Sequence, residues 1–248
     1  MERLDEVWKE AALVRAYLEG VRGGIPFAAE QIAVMLRVVA AAARPVHRLA
    51  DLGCGGGVLA RALLTQHPDA DSTLVDFSEP MLVEARRQLG SHVPRPCFVA
   101  SDLGTPAWTR AVGERAPFDV VVSGYAIHHL PDDRKRQLYA EIFSLLAPGG
   151  TFVNIEHVAS ATARLEAIAD EVMIDSLHAF HCAQGTGKTR EQVADDFVRR
   201  PDKTANILAP VEQQCEWLRA LGFEDVDCYF KIFELAVFGG RRPPLARG

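Results

Sequence analysis

Long apolar runs are missing from this 248-residue chain: none approaches the ~18 consecutive residues that a membrane span needs. Paired cysteines are missing too. The 5 cysteines (54, 97, 182, 215 and 228) are scattered, odd in number and without a CxxC pair. That argues against a disulfide frame or zinc ribbon and for a reducing cytoplasm. Positive charge is in deficit, with 27 Lys+Arg against 33 Asp+Glu for a net −6. A protein that grips nucleic acid through phosphates needs clustered basic residues instead, so nucleic acid is not the expected partner. The opening Met1-Glu2-Arg3-Leu4-Asp5-Glu6 is too acidic for a signal or transit peptide. At 48% hydrophobic and 24% charged, the composition is that of an ordinary globular protein with ample core.

Apolar residues at Leu4, Val7, Trp8, Ala11, Val14 and Leu18 have helical spacing, which Gly20, Gly23, Gly24 and Pro26 interrupt. A second helix is expected over 27–43. From residue 46 the rhythm changes to strands alternating with helices: strands at 46–52, 72–75, 97–100, 118–122 and 151–158, with helices following the glycine turn and at 79–89 and 132–146. Such alternation requires right-handed crossovers and a doubly wound, mostly parallel sheet. Residues 159–206 lapse into helices without strands and are expected to cap the sheet. A helix at 211–221 and strands near 223–229 and 233–238 follow. Strands joined that closely are antiparallel. The expected organisation is an N-terminal helical lid (1–45), a cofactor-binding Rossmann-like core (46–158), a helical cap (159–206) and a C-terminal helix with an antiparallel hairpin that completes the core (207–248).

The strongest signal is Asp51-Leu52-Gly53-Cys54-Gly55-Gly56-Gly57 between a strand and a helix. Glycines there let a ligand approach the backbone, and the next helix offers unpaired N–H groups. Asp76, at the end of the second strand, suits the two hydroxyls of a ribose. Read from Gly55, the run Gly55-Gly56-Gly57-Val58-Leu59-Ala60 fits the dinucleotide pattern G-x-G-x-x-A, so a nicotinamide-dependent oxidoreductase is a rival. The strand ends at Leu52, however, so Gly53 opens the turn, and in that frame the sixth position is Val58. Asp51 would also repel a pyrophosphate. These residues favour a nucleoside carrying an amino acid.

Five segments in order resemble the successive motifs of class I S-adenosylmethionine-dependent methyltransferases. They are Asp51 to Gly57, Val75-Asp76-Phe77-Ser78, Ser101-Asp102-Leu103, Phe118-Asp119-Val120-Val121-Val122-Ser123 and Leu146-Ala147-Pro148-Gly149-Gly150. The resemblance implies a methyltransferase fold of about seven strands with S-adenosylmethionine as cofactor. It implies that Gly53, Cys54, Gly55 and Gly57 pass the methionine moiety and that Asp51 faces its ammonium group. Asp76 would take the ribose diol, with Phe77 and Met81 beside the adenine. Asp102 and the Leu103 N–H would meet the adenine edge, and Ser123, Gly124 and Tyr125 would close the floor. More faintly, Gly24-Ile25-Pro26-Phe27, the cap, Asn206 and Phe230-Lys231-Ile232-Phe233-Glu234-Leu235 resemble the carboxy-S-adenosylmethionine synthases of tRNA wobble-uridine modification. Phe27 is accordingly counted with the cofactor site. In that family an arginine from the region of Arg199-Arg200 meets the cofactor's extra carboxylate, although Pro201 and Asp202 break the register here.

The expected activity is methyl transfer to a small-molecule acceptor. A carboxy-S-adenosylmethionine synthase-like or tRNA-modification-related activity is the first alternative, and an NAD-dependent oxidoreductase or a non-catalytic nucleoside-binding subunit comes after it. A homodimer stays open. Chemistry is expected above the carboxyl ends of the fourth and fifth strands, where Tyr125, His128 and Glu156 are catalytic candidates. His157, His178, His181, Arg199, Arg200 and Tyr229 are candidates to touch the acceptor. Gly185-Thr186-Gly187-Lys188-Thr189 lacks the first glycine and the preceding strand of a P-loop, and reads as a cap loop. His178 and Cys182 share a helical face but lack the further ligands of a metal site, so no metal is expected.

Overall fold

A computed structural model describes residues 4–42, 44–90 and 96–245. These described residues include seven strands: β1 (Arg48–Leu52), β2 (Asp71–Asp76), β3 (Pro96–Ala100), β4 (Phe118–Gly124), β5 (Leu146–His157), β6 (Glu224–Ile232) and β7 (Leu235–Arg241). They form one sheet in the order β3-β2-β1-β4-β5-β7-β6. Every pairing from β3 to β5 is parallel, and β7 runs antiparallel to both β5 and β6. The expected fold class therefore holds, terminal hairpin included. β1 lies between β2 and β4, so the chain reverses its winding there, and the crevice beyond the ends of β1 and β4 is where a ligand fits.

Strand alternation sorts the core into two layers. Val121, Leu52 and Phe152 pack with Trp108, Tyr139 and Leu218 on one face. Val120, Val122, Leu49 and Val153 pack with Met35, Leu63 and Leu82 on the other. Among the described residues, nine α-helices accompany the sheet: α1 (Ala11–Ala16), α2 (Ala28–Ala41), α3 (Val58–Gln66), α4 (Glu79–Leu89), α5 (Ala107–Val112), α6 (Asp132–Leu145), α7 (Ala163–Ala183), α8 (Arg190–Val198) and α9 (Val211–Ala220). Within 159–206, α7 and α8 enclose a small cluster of their own, Ile174, Leu177, Val193 and Phe197.

The N-terminal arm departs from the single helix its spacing predicts. A 3-10 helix (Leu4–Lys9), α1, a π-helical turn (Tyr17–Val21) and a second 3-10 turn (Arg22–Gly24) follow one another. A six-residue α-helix is too short to hold itself together, so docking sets the shape. The Ser78 hydroxyl donates to the Trp8 carbonyl at 2.6 Å. Gly23 and Gly24 lie against the side chains of Phe180 and Leu177, where an added Cβ would stand 2.4 and 2.7 Å from them. The arm thereby bridges the carboxyl end of β2 and the cap.

Candidate functional site

Two adjoining clefts open at the carboxyl ends of β1 and β4, sharing Tyr17, Gly53, Gly55, Gly124 and Tyr125 in their walls. The smaller is built on the glycine turn. Gly53, Gly55 and Gly57 have φ of +63°, +50° and +76°, a region that side chains rarely adopt. At Gly53 a Cβ would also fall 2.2 Å from that of Ala126. Beneath the turn lies Asp51, 1% exposed. One oxygen accepts the Ala60 N–H at 3.0 Å, whereas Oδ1 is buried without a hydrogen-bond partner. Burial raises the Asp51 pKa to about 7, assisted by Asp76 and opposed by the Ala60 bond and Arg22. An unsatisfied buried carboxylate oxygen beside a glycine cradle suits a cationic group of a ligand, so the residues present fit the amino-acid end of S-adenosylmethionine.

In the larger cleft, Asp76 Oδ2 accepts the Gly55 N–H and Oδ1 the Ser78 N–H, both at 2.8 Å. Each oxygen keeps further accepting capacity for a ribose hydroxyl. Burial raises the Asp76 pKa to about 6 against the lowering effect of these bonds. Phe77, Met81, Asp102 and Leu103 line the same side. Asp102 Oδ1 accepts the Gly104 N–H at 2.7 Å, which fixes the carboxylate at the cleft edge.

Beyond Gly124 the wall changes character. Tyr125, at φ +53°, donates its hydroxyl to Gln31 at 2.6 Å, and Gln31 donates to the Pro26 carbonyl at 2.9 Å. His128 follows in a 3-10 turn. Its Nδ1 lies 2.6 Å from Glu156 Oε1, and its backbone N–H donates to Oε2 at 3.1 Å. Glu156 also accepts the His157 N–H at 2.8 Å. Burial disfavours charge on both partners, raising Glu156 to about 7 and driving His128 well below the usual histidine range. His128 is therefore neutral at pH 7. When Glu156 is ionised it accepts from the His128 Nδ1–H, and Nε2 then carries the lone pair. His129, His157, Met173, Phe197, Arg200, Asn206, Phe233 and Glu234 complete this half, and Asp5, Trp8, Tyr17 and Val21 of the arm roof both. Burial, reinforced by His128, lowers His129 to about 3.

Several expected site residues lie elsewhere. Phe27 caps α2 in a left-handed conformation, 42% exposed, with its ring against Phe230. Ser123 donates to the Leu52 carbonyl at 2.7 Å and serves the strand pairing. Gly57 makes room for Leu74, Ala85 and Leu89. Glu156 stands behind His128 and is absent from the lining, which makes it a positioning residue. His178 pairs with Cys182 at 3.5 Å and His181 with Thr186 at 3.2 Å, both away from the cleft on α7. The Tyr229 hydroxyl donates to the Asp225 carbonyl at 3.2 Å. Arg199 is solvated beside Asp195, whereas Arg200 faces the cleft over the Phe197 ring, 4.8 Å from its centroid. Among the described residues no group of three or more His, Cys, Asp or Glu side chains could hold a metal ion. Trp8, Tyr17, Met173 and Phe197 escaped sequence reasoning because they come from the arm and cap, whose apolar spacing reads as ordinary helix.

Residues 49–150 match a family described as a methyltransferase domain. In fold, the chain is similar to an O-methyltransferase family protein from Burkholderia thailandensis, with a TM-score of 0.60 and 19% identity over 85% of this chain and 56% of that one. The chain thus spans just over half the length of that structural neighbour. Residues 49–150 are thus similar to a methyltransferase domain, and the chain shares its fold with methyltransferases, in keeping with the glycine turn and the strand-end acids. Over nearly its whole length the sequence is similar to carboxy-S-adenosyl-L-methionine synthases. It is 26% identical to that of Shewanella amazonensis over 87% of this chain and 84% of the relative. It is 29% identical to that of Aeromonas hydrophila over 93% and 88%.

Proposed function

We propose that the protein transfers the methyl group of S-adenosylmethionine to a protic group of a small-molecule acceptor, with His128 taking the proton. One observation carries this reading: a neutral imidazole, held by a buried carboxylate, lines the same cleft as the acids suited to the cofactor. Asp51 would hold the ammonium group, Asp76 the ribose diol, and Asp102 with Leu103 the adenine edge. When bound, the cofactor supplies a sulfonium methyl, whose C–S bond breaks as the bond to the acceptor forms. Alignment is the main requirement of such a displacement. His128 Nε2 receives the acceptor's proton, and ionised Glu156 stabilises the resulting imidazolium. The arm and cap keep water from the reacting atoms. An acidic chain with five free cysteines suits a cytoplasmic enzyme acting on a small molecule.

The test uses methyl-labelled cofactor and a panel of small phenols, hydroxy acids, amines and thiols. Labelled product from the wild type, lost in His128→Ala while S-adenosylhomocysteine still binds, supports the reading. A second reading is favoured by Arg200 in the cleft together with the whole-length resemblance to carboxy-S-adenosylmethionine synthases: there Arg200 would meet a carboxylate on the cofactor. Mass spectrometry of ligand released from freshly purified protein separates the two, since the second predicts a species heavier by one carboxyl group.

A further inference from the structure

Methyl transfer to a protic group requires the removal of one proton, and His128 with Glu156 suffices for it. The cleft nevertheless holds a second imidazole–carboxylate pair. His157 Nε2 lies 2.8 Å from Glu234 Oε2, and both residues line the acceptor half. Glu234 occupies the two-residue turn between β6 and β7, with Phe233 at φ +49° beside it. The left-handed turn brings the hairpin tip over the sheet's carboxyl end, so Phe233 and Glu234 reach a cleft that the strands alone would not enclose. Burial raises the Glu234 pKa, but the bond and charge of His157, a hydrogen bond from Ser160 and the charge of Lys203 together outweigh it, and the net shift is downward. Glu234 is therefore an anion that accepts from Nε2–H, which leaves Nδ1 as the remaining polar atom of the ring.

The His128 and His157 rings have centroids 5.7 Å apart and planes inclined at 73°. Two imidazoles at that separation can each hydrogen-bond one oxygen when the two oxygens sit on adjacent carbons, about 2.7–3.0 Å from their nitrogens. The facing walls, Met173, Phe197 and Phe233, are apolar and suit a flat hydrocarbon body. Resting on the methyltransferase reading above, we propose that His157, positioned by Glu234, is a second anchor for the acceptor, and that the acceptor carries two oxygens on neighbouring carbons of an apolar, ring-like framework. One oxygen gives its proton to His128 and receives the methyl group. The other is held by His157 and stays unmodified. The β6–β7 turn then selects the acceptor, a role separate from cofactor binding.

The test is calorimetry on the full chain saturated with S-adenosylhomocysteine, with 1,2-dihydroxybenzene, 1,4-dihydroxybenzene and phenol as probes. The 1,2-isomer is expected to bind about tenfold more tightly than either control, the effect of one additional hydrogen bond. In His157→Phe and in the milder Glu234→Gln that ratio should fall to about one, with S-adenosylhomocysteine affinity unchanged. General loosening of the fold would weaken all three probes together and keep their ratio. Equal affinities in the wild type, no measurable binding of the 1,2-isomer, or a ratio that persists in both variants would each overturn the proposal. Failure of the wild type to bind S-adenosylhomocysteine would instead remove the methyltransferase reading beneath it.

Discussion

Asp76 and Gly55, 21 residues apart, meet through a 2.8 Å hydrogen bond that ties the end of β2 to the glycine turn after β1. One carboxylate thus shapes the turn and faces the ribose position. Asp76→Ala should weaken S-adenosylhomocysteine binding by roughly 2–4 kcal/mol, through lost charge-assisted bonds and a looser turn. Calorimetry that returned wild-type affinity would place the ribose elsewhere.

Asp51 links stability to pH. Its pKa in the folded chain is about 7, above the ordinary aspartate value, so the folded state holds this proton more tightly than the unfolded one. The stability this contributes is fully present below about pH 4 and lost as pH rises to about 7. The ligand-free protein should accordingly melt at lower temperature at pH 8 than at pH 5 as far as this group decides. Asp51→Asn should stabilise it at pH 8 by about 2–4 kcal/mol while weakening the cofactor. Thermal melts across pH check both signs. A variant less stable than wild type at pH 8 would contradict them.

His128→Ala should lower kcat about 100-fold or more with S-adenosylhomocysteine affinity unchanged. Glu156 titrates near 7, so kcat at saturating cofactor should decline as pH falls through that value. Glu156→Gln should abolish that acid limb and lower the plateau. An unchanged pH profile in this variant would exclude Glu156 from the proton's path.

The neighbouring arginines should behave differently, since Arg199 is solvated and Arg200 lines the cleft. Arg199→Gln should be silent. Arg200→Gln should weaken any acidic acceptor or carboxylated cofactor about 10- to 100-fold, the loss of one bidentate charged contact. Equal effects from the two substitutions would mean that neither contacts a ligand.

The core was legible in the sequence because strand periodicity and turn chemistry are local. Asp51 to Gly57, Asp76 and Asp102 each announce themselves at a strand end, and all three acids lie at the clefts. His128 was legible for the same reason, directly after β4. Its dependence on Glu156 arises from the parallel pairing of β4 with β5, which brings together residues 28 apart. Glu234 carries no such signal, since nothing near it in sequence indicates that the hairpin turn meets His157. The misplaced residues share a cause. Phe27, His178, His181 and Tyr229 belong to the arm's end, the cap and the edge strand, where the direction a side chain faces is set by tertiary docking. No local pattern encodes that.

The arm's position over the cleft gives the protein an optical consequence. Of its 3 tryptophans, Trp108 is buried with its indole N–H on Glu141, and Trp217 lies under the Arg136 guanidinium. Trp8 alone lines the cleft, its ring 5.0 Å from that of Tyr17 and 6.1 Å from that of His129. Filling of the cleft alters the polarity and quenching around one indole and leaves the other two as a constant background. Intrinsic emission is therefore a label-free meter of occupancy, and Trp8→Phe should turn it blind while the binding isotherm persists.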